Sequence, residues 1–184
     1  MLWNIPNSLT VLRILLIPVF AVIFYMQPNH FANLYATAVF GLAAITDWLD
    51  GYYARKLNQT SAFGAFLDPV ADKLMVAAAL IMLVEFDRVG AVVAFIIIGR
   101  EIAISALREW MAGIGERGSV AVATIGKFKT VVQMVAVLFL LYHDPIGLIN
   151  IDLIGRVLIQ IAAILTLVSM AYYLKAAWPQ MKVK

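Results

Sequence analysis

Six apolar stretches take up most of the 184 residues, and short polar segments separate them. A helix that crosses a bilayer needs roughly 17–25 mostly apolar residues, and several stretches reach that length only if the charged residues at one end are helical. Because 64% of the chain is hydrophobic and 14% is charged, it has too little polar surface for a water-soluble domain. The sequence predicts an all-α, polytopic membrane protein with six transmembrane helices. They cover about residues 8–26, 32–56, 66–86, 89–112, 126–142 and 153–174.

The basic residues predict the orientation of these helices. With the N-terminus inside, 12 of the 14 Lys and Arg residues lie at inner ends or inner loops, and only Arg88 and Arg156 lie outside. Cytoplasmic loops carry the excess of Lys and Arg, so both termini are expected in the cytoplasm. The loops are too short for a second domain, so residues 1–184 form one unit. The net charge of +3 is not clustered, which does not favour nucleic-acid binding.

Four aspartates predict a metal centre at the inner end of the second and third helices. Asp47 and Asp50 are three residues apart, and Asp68 and Asp72 are four apart, so each pair lies on one helix face. Two such helices packed antiparallel would bring four carboxylates together, where repulsion and desolvation oppose four unpaired charges. One or two hard divalent cations would resolve this, and oxygen ligands suit Mg²⁺ or Mn²⁺.

The neighbouring residues are those of a phosphate site. Gly51 and Gly64 leave the helix surfaces bare for a bulky ligand, and Arg55 is a bidentate phosphate donor. Pro69 is expected in the first turn of the third helix, where its missing N–H costs little. The alternative is a surface loop whose acids merely pair with nearby cations. Ionisable groups in membrane helices are costly and usually functional, which favours the metal centre.

Residues 47–73, DWLDGYYARKLNQTSAFGAFLDPVADK, resemble the signature of the CDP-alcohol phosphotransferase family at every defined position. The resemblance extends to NIPNSLTVLRILLIPVF near the start and to residues 99–130. It implies a six-helix enzyme of the bacterial inner membrane, usually a homodimer, with a polar cavity that opens to the cytoplasm. It also implies transfer of the phosphatidyl group of CDP-diacylglycerol to glycerol 3-phosphate, with release of CMP. In such enzymes the residues matching Asp47, Asp50 and Asp68 hold the metals. The residue matching Asp72 is the general base and also a possible metal ligand.

The remaining candidate residues are divided between the sites for the two substrates that the resemblance implies. The CDP-diacylglycerol site is expected to comprise Asp50, Gly51, Arg55 and Gly64 together with Asn7, Thr10 and Arg13 from the first helix. An equal alternative for Arg13 is that its side chain extends to the membrane interface by snorkelling. The glycerol 3-phosphate site needs fixed positive charge, and its candidates are Arg108, Lys127, Lys129 and Arg117. The alternative for these cations is contact with anionic lipid headgroups. Arg100 and Glu101 are expected to form an internal ion pair in the pocket wall.

Two other functions remain open at this level. A related family member that uses another acceptor, as in cardiolipin, phosphatidylserine or inositol-phosphate lipid synthesis, would carry the same signature. A divalent-cation transporter would also need membrane carboxylates. The outer halves of the six segments contain no acid to continue an ion path, which disfavours the transporter.

Overall fold

The computed structural model describes residues 5–26, 30–56, 62–114 and 124–181; within them it describes only the backbone of 5, 6, 30, 48, 50–55, 62, 65, 124–127 and 179–181. This part of the chain forms six helices and contains no strand. The all-α fold predicted from the sequence is therefore confirmed. The helices are α1 (Ile5–Tyr25), α2 (His30–Lys56), α3 (Ala62–Glu85), α4 (Ala91–Gly113), α5 (Thr124–Tyr142) and α6 (Ile151–Met181).

The helix ends differ most from the predicted segments at the start of α3 and at the end of α6. α3 begins at Ala62, so Pro69 lies inside the helix and not in its first turn, which corrects the prediction. A proline there cannot donate to the carbonyl four residues earlier. α6 continues to Met181, seven residues beyond the predicted stretch. The prediction rested on the apolar run, which ends before the helix does.

The helices alternate in direction, so that polar side chains collect at the two ends of the bundle. Arg13, near the start of α1, contacts Asp47, near the end of α2. Tyr25, at the end of α1, donates a hydrogen bond to Glu85, at the end of α3. We call the end with the starts of α1, α3 and α5 the aspartate end, and the other the opposite end.

Large apolar side chains fill the middle of the bundle and also cover much of its outside. The fully buried ones include Phe20, Phe40, Leu80 and Ile97 from four different helices. Within the described residues, two runs are long and apolar enough to cross a membrane, Asn7–Tyr25 and Ile151–Trp178. Only 22% and 33% of an 18-residue window in these runs is buried inside the protein. An outer surface of this kind suits a lipid environment, since it leaves contiguous apolar area that water would disfavour.

Candidate active site

One face of α1 brings the aspartates of α2 and α3 together. Thr10 donates a hydrogen bond from Oγ1 to Oδ1 of Asp68, and Arg13 donates from Nη1 to Oδ1 of Asp47 at 2.6 Å. Thr10 and Arg13 are one helical turn apart, so their two partners lie side by side at the aspartate end. Both α1 residues are fully buried, as is Asn7 one turn earlier. The snorkelling alternative for Arg13 is therefore wrong, because its guanidinium is inside the protein.

Asp72 stands between this cluster and a large cavity. It borders a small internal space together with Arg13, Phe40 and Met75, and it also borders the large cavity described below. Among the side chains that the structure describes, no three acidic or histidine groups form a metal-binding cluster. The side chain of Asp50 lies outside that set. Three of the four predicted carboxylates are thus placed at one end of the bundle, around a buried guanidinium.

The large cavity, about 970 Å³, opens between α3, α4, α5 and α6 at the aspartate end. A volume of this size is at the upper end of the range for small-molecule sites. Its walls carry both signs of charge, with polar and aromatic groups between them. The charged lining residues are Asp72, Lys73, Arg100, Glu101, Arg108 and Glu109, and the lining also includes Ser105, Thr130 and Tyr173.

Glu101 holds two cations in the cavity wall. Its Oε1 accepts hydrogen bonds from Arg100 Nη1 at 3.1 Å and from Lys129 Nζ. The predicted Arg100–Glu101 ion pair is confirmed. Lys129 is 1% exposed and is not a lining residue of the cavity, so its ammonium contacts Glu101 from the interior of the bundle. Burial of a charge is tolerable only with such a partner, and Glu101 is the partner of both Lys129 and Arg100.

Arg108 has a different environment. Its guanidinium lies 5.2 Å from the ring centre of Tyr173, and that of Arg100 lies 5.5 Å from the same ring. Within the described part of the chain, Arg108 has no hydrogen bond or ion pair, whereas Arg100 also donates to Ser169 Oγ at 3.3 Å. Arg108 therefore offers an unneutralised charge to the cavity.

The other predicted site residues fall into two groups. Gly64 is buried in α3. The side chains of Asp50, Arg55 and Lys127 are not among those described, nor are the surroundings of Gly51, and the whole of Arg117 lies outside the described residues. Sequence reasoning missed Lys73 and Tyr173 as parts of the cavity. Lys73 directly follows Asp72, the last aspartate of the signature. Tyr173 lies four residues after Ser169 on a mostly apolar helix, and this spacing of two polar residues was the available signal for Tyr173.

Comparisons with known proteins show the family to which the chain belongs. The sequence profile described as CDP-alcohol phosphatidyltransferase matches residues 3–171, and the chain belongs to this family. The resemblance found in the signature is thereby confirmed. Among relatives, the CDP-diacylglycerol–glycerol-3-phosphate 3-phosphatidyltransferase of Pseudomonas fluorescens is 52% identical over 182 residues, covering 97% of this chain and 92% of the relative. The proteins of the same name from Salmonella paratyphi A and Shigella flexneri serotype 5b are 50% and 49% identical, over 96% of both chains in each case.

Proposed function

We propose that this chain transfers the phosphatidyl group of CDP-diacylglycerol to the primary hydroxyl of glycerol 3-phosphate and releases CMP. Relatives named CDP-diacylglycerol–glycerol-3-phosphate 3-phosphatidyltransferase are 52% and 50% identical to almost the full chain. The observation that carries the proposal in the structure is that one cavity borders both Asp72 and the uncompensated Arg108. An acceptor with a hydroxyl and a phosphate needs such a pair: a carboxylate to take the proton and a cation to hold the phosphate.

The proposed reaction is a single displacement. The acceptor oxygen forms a bond to the phosphorus of the phosphatidyl group, and the bond from that phosphorus to the CMP oxygen breaks. CMP leaves with the electron pair, and the hydroxyl proton passes to Asp72. A positioned base of this kind contributes typically about 10²–10⁴-fold to the rate.

Mg²⁺ or Mn²⁺ is the proposed cofactor, held by Asp47, Asp50 and Asp68, with Asp72 beside them. The donor set is all oxygen, as these cations prefer. The buried Arg13 guanidinium among the carboxylates indicates that positive charge is needed here. When bound, the metal neutralises charge on the pyrophosphate and on the departing CMP. Thr10 and Arg13 then serve to hold Asp68 and Asp47 in place.

The two substrates are proposed to approach from different sides of Asp72. CDP-diacylglycerol lies along α2 and α3, against Gly51 and Gly64, with Arg55 near its phosphates. Glycerol 3-phosphate enters the large cavity, where Arg108 contacts its phosphate. Lys127 and Arg117 are the further candidates for that contact. Lys129 was expected to join them; we now propose that it acts through Glu101, since it is bound there.

We also propose the membrane arrangement that the sequence predicts. All six helices cross the inner membrane, both termini and the aspartate end face the cytoplasm, and the protein is a homodimer. The alternation of helix direction supports the crossing pattern, because polar site residues then share one membrane face. A cytoplasmic site also gives access to a water-soluble phosphorylated acceptor.

The test is CMP release by purified protein with CDP-diacylglycerol, divalent metal and a panel of acceptors. We expect release with glycerol 3-phosphate, and none with serine, inositol phosphate or phosphatidylglycerol. Release with one of those acceptors instead would assign the chain to another branch of the family.

The acceptor site is tested in the same assay with Arg108→Ala. Losing a hydrogen bond to a charged group costs about 1.5–3 kcal/mol, so the KM for glycerol 3-phosphate should rise roughly ten- to hundredfold, while that for CDP-diacylglycerol changes little. Lys175→Ala is the matched control, because Lys175 is an exposed cation near the end of α6 that does not line the cavity. If Arg108→Ala raises both KM values equally and anionic lipid restores them, Arg108 binds membrane lipid and the proposed pocket is wrong.

A further inference from the structure

The side chain of Tyr173 lies where α6 meets the second half of α4. It is 2% exposed, and it packs with Ile104, Leu107 and Met111 of α4. The same residue borders the large cavity. Its ring is thus fixed by apolar packing on one side and reaches the charged space on the other.

The two arginines near this ring differ in how they are held. Arg100 is bound by Glu101 and by Ser169, so its guanidinium has two partners besides the ring. For Arg108, the ring of Tyr173 is the one polar or charged contact found among the described residues. A guanidinium within about 6 Å of a ring centre is attracted by the ring's negative face. The orientation of Arg108 therefore depends on Tyr173 in a way that the orientation of Arg100 does not.

We infer that Tyr173 is a positioning residue for the acceptor phosphate, acting through Arg108. This rests on the proposed function, in which Arg108 contacts that phosphate. A long arginine side chain loses rotamer freedom when it binds an anion. Because the ring already restricts the arginine side chain, less rotamer entropy is lost when the phosphate binds. The guanidinium N–H groups stay available for the phosphate, whereas a carboxylate partner would occupy them. An aromatic ring is well suited to this role because it orients the cation without neutralising its charge.

The test compares substitutions that keep or remove the ring. Tyr173→Leu removes it, and we expect the KM for glycerol 3-phosphate to rise about 5- to 30-fold, the range of a partly desolvated cation–π contact. The KM for CDP-diacylglycerol should stay within about twofold, since that substrate is proposed to lie along α2 and α3, whereas the ring packs against α4. Tyr173→Phe keeps the ring and should restore most of the acceptor affinity. Tyr172→Leu is the matched control, because Tyr172 is the preceding residue and is 60% exposed.

A double substitution separates this inference from the proposed pocket. If Tyr173 acts through Arg108, Tyr173→Leu should change the acceptor KM little when Arg108→Ala is already present. If Tyr173→Leu folds poorly, as judged by its melting temperature, Tyr173→Met tests the same loss of the ring with a flexible side chain that adapts better to the space left.

Three results with Tyr173→Leu, alone or combined with Arg108→Ala, would overturn the inference. One is an equal rise of both KM values in Tyr173→Leu, and another is a full additional effect on top of Arg108→Ala; either would make the ring a general packing residue. The third is an unchanged acceptor KM in Tyr173→Leu while Arg108→Ala raises it, which would reject the role of Tyr173 and leave the pocket standing. An unchanged acceptor KM in Arg108→Ala itself would instead reject the pocket, and the inference with it.

Discussion

Replacing Arg88 by methionine should destabilise the protein strongly without changing its substrate affinities. Arg88 lies between α3 and α4 at the opposite end of the bundle and is 5% exposed. It donates to the carbonyls of Leu140 and Leu141, each at 3.0 Å, and to Oδ1 of Asn33 at 2.8 Å. Its guanidinium also lies 5.1 Å from the ring centre of Phe24. One side chain thus joins α1, α2 and α5.

The expected magnitude follows from the groups left behind. The last four carbonyls of a helix have no partner within it, and α5 ends at Tyr142, so Arg88 satisfies two of them. Each buried acceptor left unsatisfied costs about 1–3 kcal/mol. With three acceptors, and methionine filling part of the space, we expect a loss of about 3–5 kcal/mol.

The assay is thermal unfolding of the purified protein in detergent. For a chain of this size about 1 kcal/mol corresponds to roughly 2–4 °C, so the Tm of Arg88→Met should fall by about 6–20 °C. Arg156→Met is the matched control, because Arg156 is 44% exposed and its main partner is Asp152, four residues earlier on the same helix. Such pairs contribute about 0–1 kcal/mol. Equal Tm values for the two variants would refute the reasoning, as would a raised KM for glycerol 3-phosphate in Arg88→Met.

Three further substitutions have definite expected outcomes. Gly155→Ala would place a Cβ 2.9 Å from Cγ of Leu140 and should lower the stability by about 1–3 kcal/mol. Its control is Gly99→Ala, whose Cβ meets nothing within 4 Å and which should raise the Tm slightly. Equal shifts in Tm for the two variants would contradict this. Asp72→Asn should lower kcat about 10²–10⁴-fold with little change in the KM for CDP-diacylglycerol, and a drop below about threefold would exclude the base role. Glu101→Gln leaves the buried Lys129 without its carboxylate and should cost about 3–5 kcal/mol in thermal unfolding; an unchanged Tm would show that the pair is not stabilising.

The helices could be predicted from the sequence, but their ends could not. Apolar runs of nearly membrane length are the signal of each helix, so all six were found. That signal ends where the apolar residues end, and α6 continues past it to Met181. Pro69 was misplaced because the predicted segment began at residue 66, whereas α3 begins one turn earlier, at Ala62.

The aspartate cluster was predictable in outline because spacing along a helix fixes which side chains share a face. The cavity was not, since its walls come from four helices and depend on how these pack. The contact of Lys129 with Glu101 joins residues 28 positions apart. That of Arg108 with Tyr173 joins α4 to a helix that the signature does not include. Local spacing can mark a polar residue on an apolar helix, but it does not predict which residue of another helix that side chain contacts.

Binding of Mn²⁺, followed by the electron paramagnetic resonance signal of the free ion, tests the proposed metal centre most directly. We predict saturable binding to the wild-type protein and a loss of affinity of about tenfold or more in Asp68→Ala, since even residues that only support a ligand contribute 10- to 100-fold. Glu85→Ala, which removes a carboxylate at the opposite end of the bundle, should bind as the wild type does. If Asp68→Ala binds Mn²⁺ as tightly as the wild type, the aspartates do not form the metal centre.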